Sequence, residues 1–180
     1  MDLDIPDYRL RALVPDDAPA LTRHADDPEV ARNLRDRFPH PYAEADALTF
    51  IAMVRAEGGE QAWAVDRGGE AVGVIGAVPG TDVYRGSWEI GYWLGRDHWG
   101  RGVATAAVRA VTAHLFAREE ARRVWAPVFA SNPASARVLE KADFRLEGTH
   151  RARVHKRGEI LDEWVYARLR DDPETQNPAV

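Results

Sequence analysis

The stretch from His98 to Ala110, HWGRGVATAAVRA, sets Gly100 and Gly102 on either side of Arg101 and then runs into good helix formers. A glycine inside a helix costs roughly 0.5–1 kcal/mol relative to alanine, so a pair of them at a helix start needs a reason. Such a start presents unpaired backbone N–H groups and the positive end of the helix dipole, which together attract anions. Glycine removes the side chain that would hold a phosphate away, and Arg101 offers a charge-assisted donor. The pattern reads either as an ordinary turn into a helix or as a cradle for phosphate or pyrophosphate. The phosphate-loop pattern G-x-x-x-x-G-K-[ST] is absent. A dinucleotide G-x-G-x-x-G begins at Gly100 and Gly102 but meets Thr105 at its third position. Its acidic partner about twenty residues on should end a strand, whereas Glu119 and Glu120 end a helix.

The elements that must position this loop follow from periodicity. Tyr8 to Leu13 alternates polar and apolar residues and predicts a first strand. Pro15 to Val30 predicts a helix entered at Asp16 and Asp17, residues 37–41 a proline loop, and Tyr42 to Gly59 an amphipathic helix closed by Gly58 and Gly59. Two β-rich runs flank a glycine hairpin loop at Arg67–Glu70, and Ser87 to Gly95 is a further strand. The helix after the opening loop runs from Gly102 to about Arg118, with Val103, Ala107, Ala110, Val111, His114 and Leu115 on one face. Arg123 to Phe129 is a strand. Asn132 caps a short helix with Pro133 in its first position. A long hairpin turning at Arg157–Gly158 completes a single domain over residues 1–170, followed by a polar tail, 171–180, that is expected to fray. Helices and strands neither segregate nor alternate strictly, which predicts a mixed α/β (α+β) sheet with helices on its faces.

The 180 residues, 45% hydrophobic and 29% charged, are ordinary for a soluble globular protein. No apolar run approaches the roughly 18–20 residues of a membrane span, and the acidic N-terminus lacks the regions of a signal peptide. With no cysteine there is no disulfide, thiolate zinc site or cysteine nucleophile. No metal, nucleic-acid or membrane partner is expected, a net charge of −5 arguing against general nucleic-acid binding. A cytoplasmic location is the simplest expectation.

WEIGYWLGRDHWGRGVATAAVRA, from Trp88, followed by NPASARVLEKADF, from Asn132, resembles the GNAT acetyltransferases. More narrowly, the pair is similar to the branch that includes the ribosomal-protein N-terminal acetyltransferases, over roughly Tyr8 to Leu169. The resemblance implies a mixed, mostly antiparallel sheet of about seven strands, splayed between its central fourth and fifth, with acetyl-CoA in the gap. The family's loop pattern [QR]-x-x-G-x-[GA] falls on Trp99-Gly100-Arg101-Gly102-Val103-Ala104. Gly102 and Ala104 match, and Trp99 stands at the usually polar first position. By the same resemblance, backbone N–H groups from Trp99 to Thr105 hold the CoA pyrophosphate. Trp93 and Leu94 pair through their backbone with the pantetheine arm, Asn132 binds that arm, and Ser135 lies near the thioester sulfur. Where many members carry a tyrosine acid this chain has Leu139, and where a glycine is usual it has Asp143, a residue type that tolerates the left-handed conformation.

The implied chemistry is direct attack of an amine on the thioester, with a backbone N–H near Leu94 for the oxyanion. Glu89 is the candidate base, directly or through water. Strand alternation sets Glu89, Gly91 and Trp93 on one side and Trp88, Ile90 and Tyr92 on the other, and a glutamate merely hydrogen-bonded across strands is the alternative. The base glutamate of some relatives falls near Val154, leaving His155 as a remote substitute. Phe38 lines the substrate mouth by analogy. Arg151, Arg153, His155 and Arg157 share a face by period two, either to receive an acidic substrate or CoA phosphate or simply to meet solvent. The partners implied are acetyl-CoA and an amine acceptor, either a protein N-terminus or a small molecule such as a polyamine, amino acid derivative or antibiotic. A non-catalytic acyl-CoA sensor remains the alternative from another class, and the chain is compatible with a homodimer or a monomer.

Overall fold

The computed structural model describes residues 3–56 and 62–173. Its elements are β1 (Leu3–Ile5), β2 (Tyr8–Ala12), α1 (Ala18–Ala25), α2 (Pro28–Ala31), α3 (Glu44–Ala56), β3 (Ala62–Arg67), β4 (Glu70–Pro79), β5 (Ser87–Leu94), α4 (Val103–Phe116), β6 (Arg123–Phe129), α5 (Pro133–Lys141), β7 (Arg145–Lys156) and β8 (Glu159–Leu169). The strands form one sheet in the order β1-β2-β3-β4-β5-β6-β8-β7, antiparallel except at β5–β6. That is eight strands rather than the expected seven. The addition, β1, is too short for a periodicity to register and exists by pairing Leu3, Asp4 and Ile5 with Leu10, Arg9 and Tyr8.

β3 and β4 are buried on both faces, as near-continuous apolar runs require. On one face Trp63, Val65, Val72 and Ile75 pack with α4 and α5 through Val108, Val111, Leu115, Ala136 and Leu139. On the other, Ala62, Ala64, Ala71 and Val74 pack with α1 and α3 through Leu21, Ala47 and Ile51. The buried face of α4 is wider than the expected stripe, taking in Val108 and Thr112. Both glycine turns form as anticipated: Gly68 and Gly69 carry φ 62° and 95° between β3 and β4, and Arg157 and Gly158 carry 51° and 84° between β7 and β8.

Three expectations change. The helix read over Pro15 to Val30 is two, because Asp27 caps a new start at Pro28 by accepting from the Glu29 N–H at 2.7 Å. Asp17 does more than open a helix: its Oδ2 accepts from the Val14 N–H at 2.9 Å at the helix entry, and the same buried carboxylate takes Arg11 in a two-pronged bond. The row Arg151, Arg153, His155, Arg157 is broken by a bulge between His150 and Val154, where Ala152 sits at φ 51° and its N–H donates to Asp162. The bulge sets Arg151, Ala152 and Arg153 against the single residue Asp162, so Arg151 and Arg153 leave the regular pleat. The proposed closure of α3 by Gly58 and Gly59 lies outside the described residues.

Arg11 joins Asp17 to Asp66, its Nε 2.7 Å from Asp66 Oδ2. Burial raises the Asp66 pKa, but the Arg11 bond and the Gly69 N–H outweigh it, so the carboxyl is held below its ordinary range. A depressed folded pKa adds stability above the unfolded value of about 3.9 and loses it as pH falls through the folded one. Asp66→Asn takes one of two carboxylates from Arg11, which keeps Asp17, and is expected to cost about 1.5–3 kcal/mol at pH 7. Denaturant melts at pH 7 and at pH 3 test this, since the gap to wild type should shrink in acid. An equal gap at both would rule out the ion pair as its cause.

Candidate active site

β5 and β6 run parallel and touch only through Ser87, Trp88 and Glu89 against Arg123, Val124 and Trp125. β5 then continues to Leu94 beside β4, and β6 to Phe129 beside β8, so a gap opens between them. The Gly80 N–H donates to Ser87 O at 2.7 Å and the Gly95 N–H to Val72 O at 2.8 Å, which puts the odd-numbered residues of β5 in backbone exchange with β4. Ile90, Tyr92 and Leu94 therefore turn their backbone groups into the gap. Trp93, implied as a backbone partner of the pantetheine arm, stands opposite Val74 with its backbone turned to β4, and Tyr92 is the residue that faces the gap in its place. Of Leu94 the N–H faces the gap, while its carbonyl already accepts the Trp99 indole N–H at 2.8 Å.

α4 and α5 both begin at this open end. Gly100 and Gly102 take φ 72° and 77°, the left-handed region that disfavours a side chain, and Gly102 is the N-cap of α4. The first N–H to bond within α4 is that of Ala106, to Gly102 O at 3.0 Å. The N–H groups of residues 100–105 thus have no backbone acceptor among the described residues. Arg101 is exposed beside them. Two anchors hold the loop: the Trp99 indole on β5, and buried His98, whose Nδ1 lies 2.9 Å from Tyr8 Oη in β2. Burial, with His24, Arg67 and Arg101 nearby, pushes the His98 imidazole below its usual range, so it stays neutral. Gly95 is obligatory there, since a Cβ would sit 2.4 Å from His24 Nδ1.

Asn132 caps α5 as expected, its Oδ1 accepting from the Ser135 N–H at 3.2 Å, and Asp143 adopts φ 67° at the far end. Ser135 Oγ lies 2.9 Å from Tyr92 Oη, a contact that spans the gap from the first turn of α5 to β5. On the opposite side of β5, Glu89 is partly buried and pairs with Arg35 at 2.5 Å. Phe38 stacks edge-on against Trp93, with ring centroids 5.6 Å apart, and lies 4.8 Å from Tyr42. The neighbouring Asp36 binds Lys156 at the tip of β7 at 2.6 Å. The loop after α2 is thereby pinned to β5 through Arg35 and Phe38 and to the tip of β7 through Asp36. Arg35 and Tyr92 escaped the sequence reading. Strand alternation already put Tyr92 on the side away from Glu89, but nothing local pairs Arg35 with a glutamate 54 residues away.

A cavity of about 590 Å³ at the opposite end of the β5–β6 contact includes Arg122, Arg123 and Arg170 in its wall. There Arg122 donates to Arg85 O, Arg123 to Glu147 and Arg170 to Ala121 O. Among the described residues no group of three or more candidate metal ligands occurs, and no helix is long and apolar enough to cross a membrane.

Residues 8–145 match the acetyltransferase (GNAT) domain. An uncharacterized N-acetyltransferase, p20, from Bacillus licheniformis is 29% identical over 164 residues, covering 89% of this chain and 92% of that one. The acetyltransferase (GNAT family) of Bacillus anthracis superposes with a TM-score of 0.83 over 96% of this chain and all of its own, at 22% identity. Mycobacterium smegmatis RimJ, solved with a CoA disulfide, superposes at 0.79 with 26% identity, over 94% of this chain and 86% of its own. The chain belongs to the GNAT acetyltransferase family. It is an acetyl-CoA-dependent N-acetyltransferase, and Rim-type ribosomal-protein acetyltransferases are among its structural neighbours.

Proposed function

We propose that this enzyme acetylates the N-terminal α-amine of a protein by direct attack of that amine on acetyl-CoA. The observation that carries it is the unpaired edge of β5 ending beside a helix start opened by two left-handed glycines. The N–H groups from Gly100 to Thr105, with Arg101 beside them, hold the pyrophosphate, which is the charge and shape such a start favours. The outward backbone of Tyr92 meets the pantetheine amides, and Asn132 flanks the same arm. Glu89 takes a proton from the acceptor's ammonium, directly or through water. The Leu94 N–H faces the developing oxyanion. Ser135 solvates the departing thiolate, an undemanding task for a leaving group whose pKa lies near 8.5.

The base equipment favours an α-amine. Glu89 must share or leave Arg35 before it can meet an ammonium, and the position near 154 offers valine instead of a carboxylate. An α-amine, with a pKa of about 7.7–8.0, is roughly 10–20% neutral at pH 7, whereas a lysine near 10.4 is almost wholly charged. The RimL neighbour is a ribosomal L7/L12 alpha-N-protein acetyltransferase. Acetyl-CoA at 100 times its Kd should stabilise the protein by about 2.7 kcal/mol, visible as a raised melting temperature, and no stabilisation would sink the proposal. Thiol release is then followed with peptides bearing free N-termini, their N-blocked counterparts, and small amines. Turnover of the free peptides alone is the expected result. Turnover of small amines alone would move the acceptor to that class, and binding without any thiol release would make this a sensor.

A further inference from the structure

We infer that Tyr92 is a positioning residue for the leaving-group side of the reaction, holding the Ser135 hydroxyl with its proton directed toward the thioester sulfur. The inference rests on the placement of Ser135 beside that sulfur proposed above. A serine in the first turn of a helix ordinarily turns its hydroxyl to a nearby backbone group, where it is of no use to a substrate. In α5 the local backbone donor is already taken, because the Ser135 N–H donates to Asn132 Oδ1 at 3.2 Å. The Ser135 hydroxyl instead faces Tyr92 Oη at 2.9 Å, and the same phenol reaches Ser135 O at 3.4 Å. Tyr92 comes from β5, whose neighbouring residues Ile90 and Leu94 are locked in the core beneath α4, so its ring is a rigid post on the far side of the gap.

Either hydroxyl can donate in this pair, and the phenol, the stronger acid, is assigned as the donor to Ser135 Oγ, its nearer acceptor at 2.9 Å against 3.4 Å for Ser135 O. A serine oxygen has two lone pairs and one proton. Tyr92 occupies one lone pair, polarises the O–H, and leaves that proton for a third group. When the tetrahedral intermediate collapses, the C–S bond breaks and its electron pair stays on sulfur, which accepts the Ser135 hydrogen bond. The amine gives up one proton before attack and one on collapse, so free thiol, amide and one released proton balance the reaction. Tyr92 does not supply the thiol's proton. Even an ordinary phenol near 10 holds its proton on the order of 30-fold more tightly than a thiol near 8.5, and burial pushes Tyr92 further up against the pull of Ser135. The buried helix position that is a tyrosine acid in many relatives is here Leu139, so the phenol of this site reaches it from the strand.

The test is a double-mutant cycle with Tyr92→Phe, Ser135→Ala and the pair together. Rates are taken at saturating acetyl-CoA and normalised to sites titrated with the cofactor, so that any loss of folded protein drops out. Tyr92→Phe is expected to lower kcat about ten-fold, the worth of one hydrogen bond to a charged centre, with the KM for acetyl-CoA within about two-fold. In the Ser135→Ala background it should lower kcat no further, and Ser135→Thr should restore the dependence on Tyr92. Equal losses in both backgrounds, or none in either, would overturn the inference. Absence of any turnover by the wild type would instead overturn the proposed function itself.

Discussion

Gly102→Val is expected to abolish acetyl-CoA binding while leaving a folded protein. The glycine sits at φ 77° and ψ −3° as the N-cap of α4, and a Cβ built there meets no atom within 4 Å. The protein itself therefore resists the substitution only through the left-handed backbone, at about 1–2 kcal/mol. The open space is where an anion must approach the N–H groups of Val103, Ala104 and Thr105. Losing two charge-assisted contacts, each worth roughly 1.5–3 kcal/mol, should raise the Kd by about 10²–10⁴. Gly68→Val is the control, because that turn glycine has φ 62° and equally open surroundings but lies in the β3–β4 hairpin. Calorimetric titration should find normal affinity in the control and none in the site variant. Binding by Gly102→Val at wild-type affinity would remove the loop as the pyrophosphate site.

Glu89→Gln is expected to cut kcat by about 10²–10⁴, the range for loss of a positioned general base, with acetyl-CoA affinity intact. The amide keeps the shape and a hydrogen-bond acceptor but cannot take a proton. The loss should depend on the acceptor. An α-amine near 7.9 and a lysine near 10.4 differ by about 2.5 pKa units, some 3.4 kcal/mol of deprotonation work, so a lysine-like amine should suffer more. Raising the pH should rescue the variant by supplying neutral amine. Pre-steady-state rates with both amines across pH 6–9 provide the measurement, and an unchanged kcat and pH profile would exclude Glu89. Arg35 makes this case particular to the present chain, since it holds the same carboxylate at 2.5 Å from a loop that is also tied to Lys156.

Much of this site is legible one segment at a time. Two glycines around Arg101, a capped helix at Asn132-Pro133, and the alternation of Trp88 to Leu94 are consequences of local sterics and hydrogen bonding, and each appears where expected. Even the departure at Asp143 is local, because aspartate can occupy the left-handed position that it holds at φ 67°. Where the reading slipped, the deciding partner lay far along the chain. β1 exists only against β2, the basic row of β7 is bent by a bulge that answers to β8, and Asp17 serves Arg11 as well as its own helix entry.

The amino-acid sequence by itself determined the glycine turn into α4, the cap of α5 and the two faces of β5, because glycine conformation, helix capping and strand parity are properties of a few consecutive residues. Only the tertiary structure decided which residue of β5 faces the gap, that Tyr92 reaches Ser135, and that Glu89 is held by Arg35. Parity says which side a residue faces, but what waits there depends on strand register and loop packing, and those are settled by contacts among segments 43 to 120 residues apart.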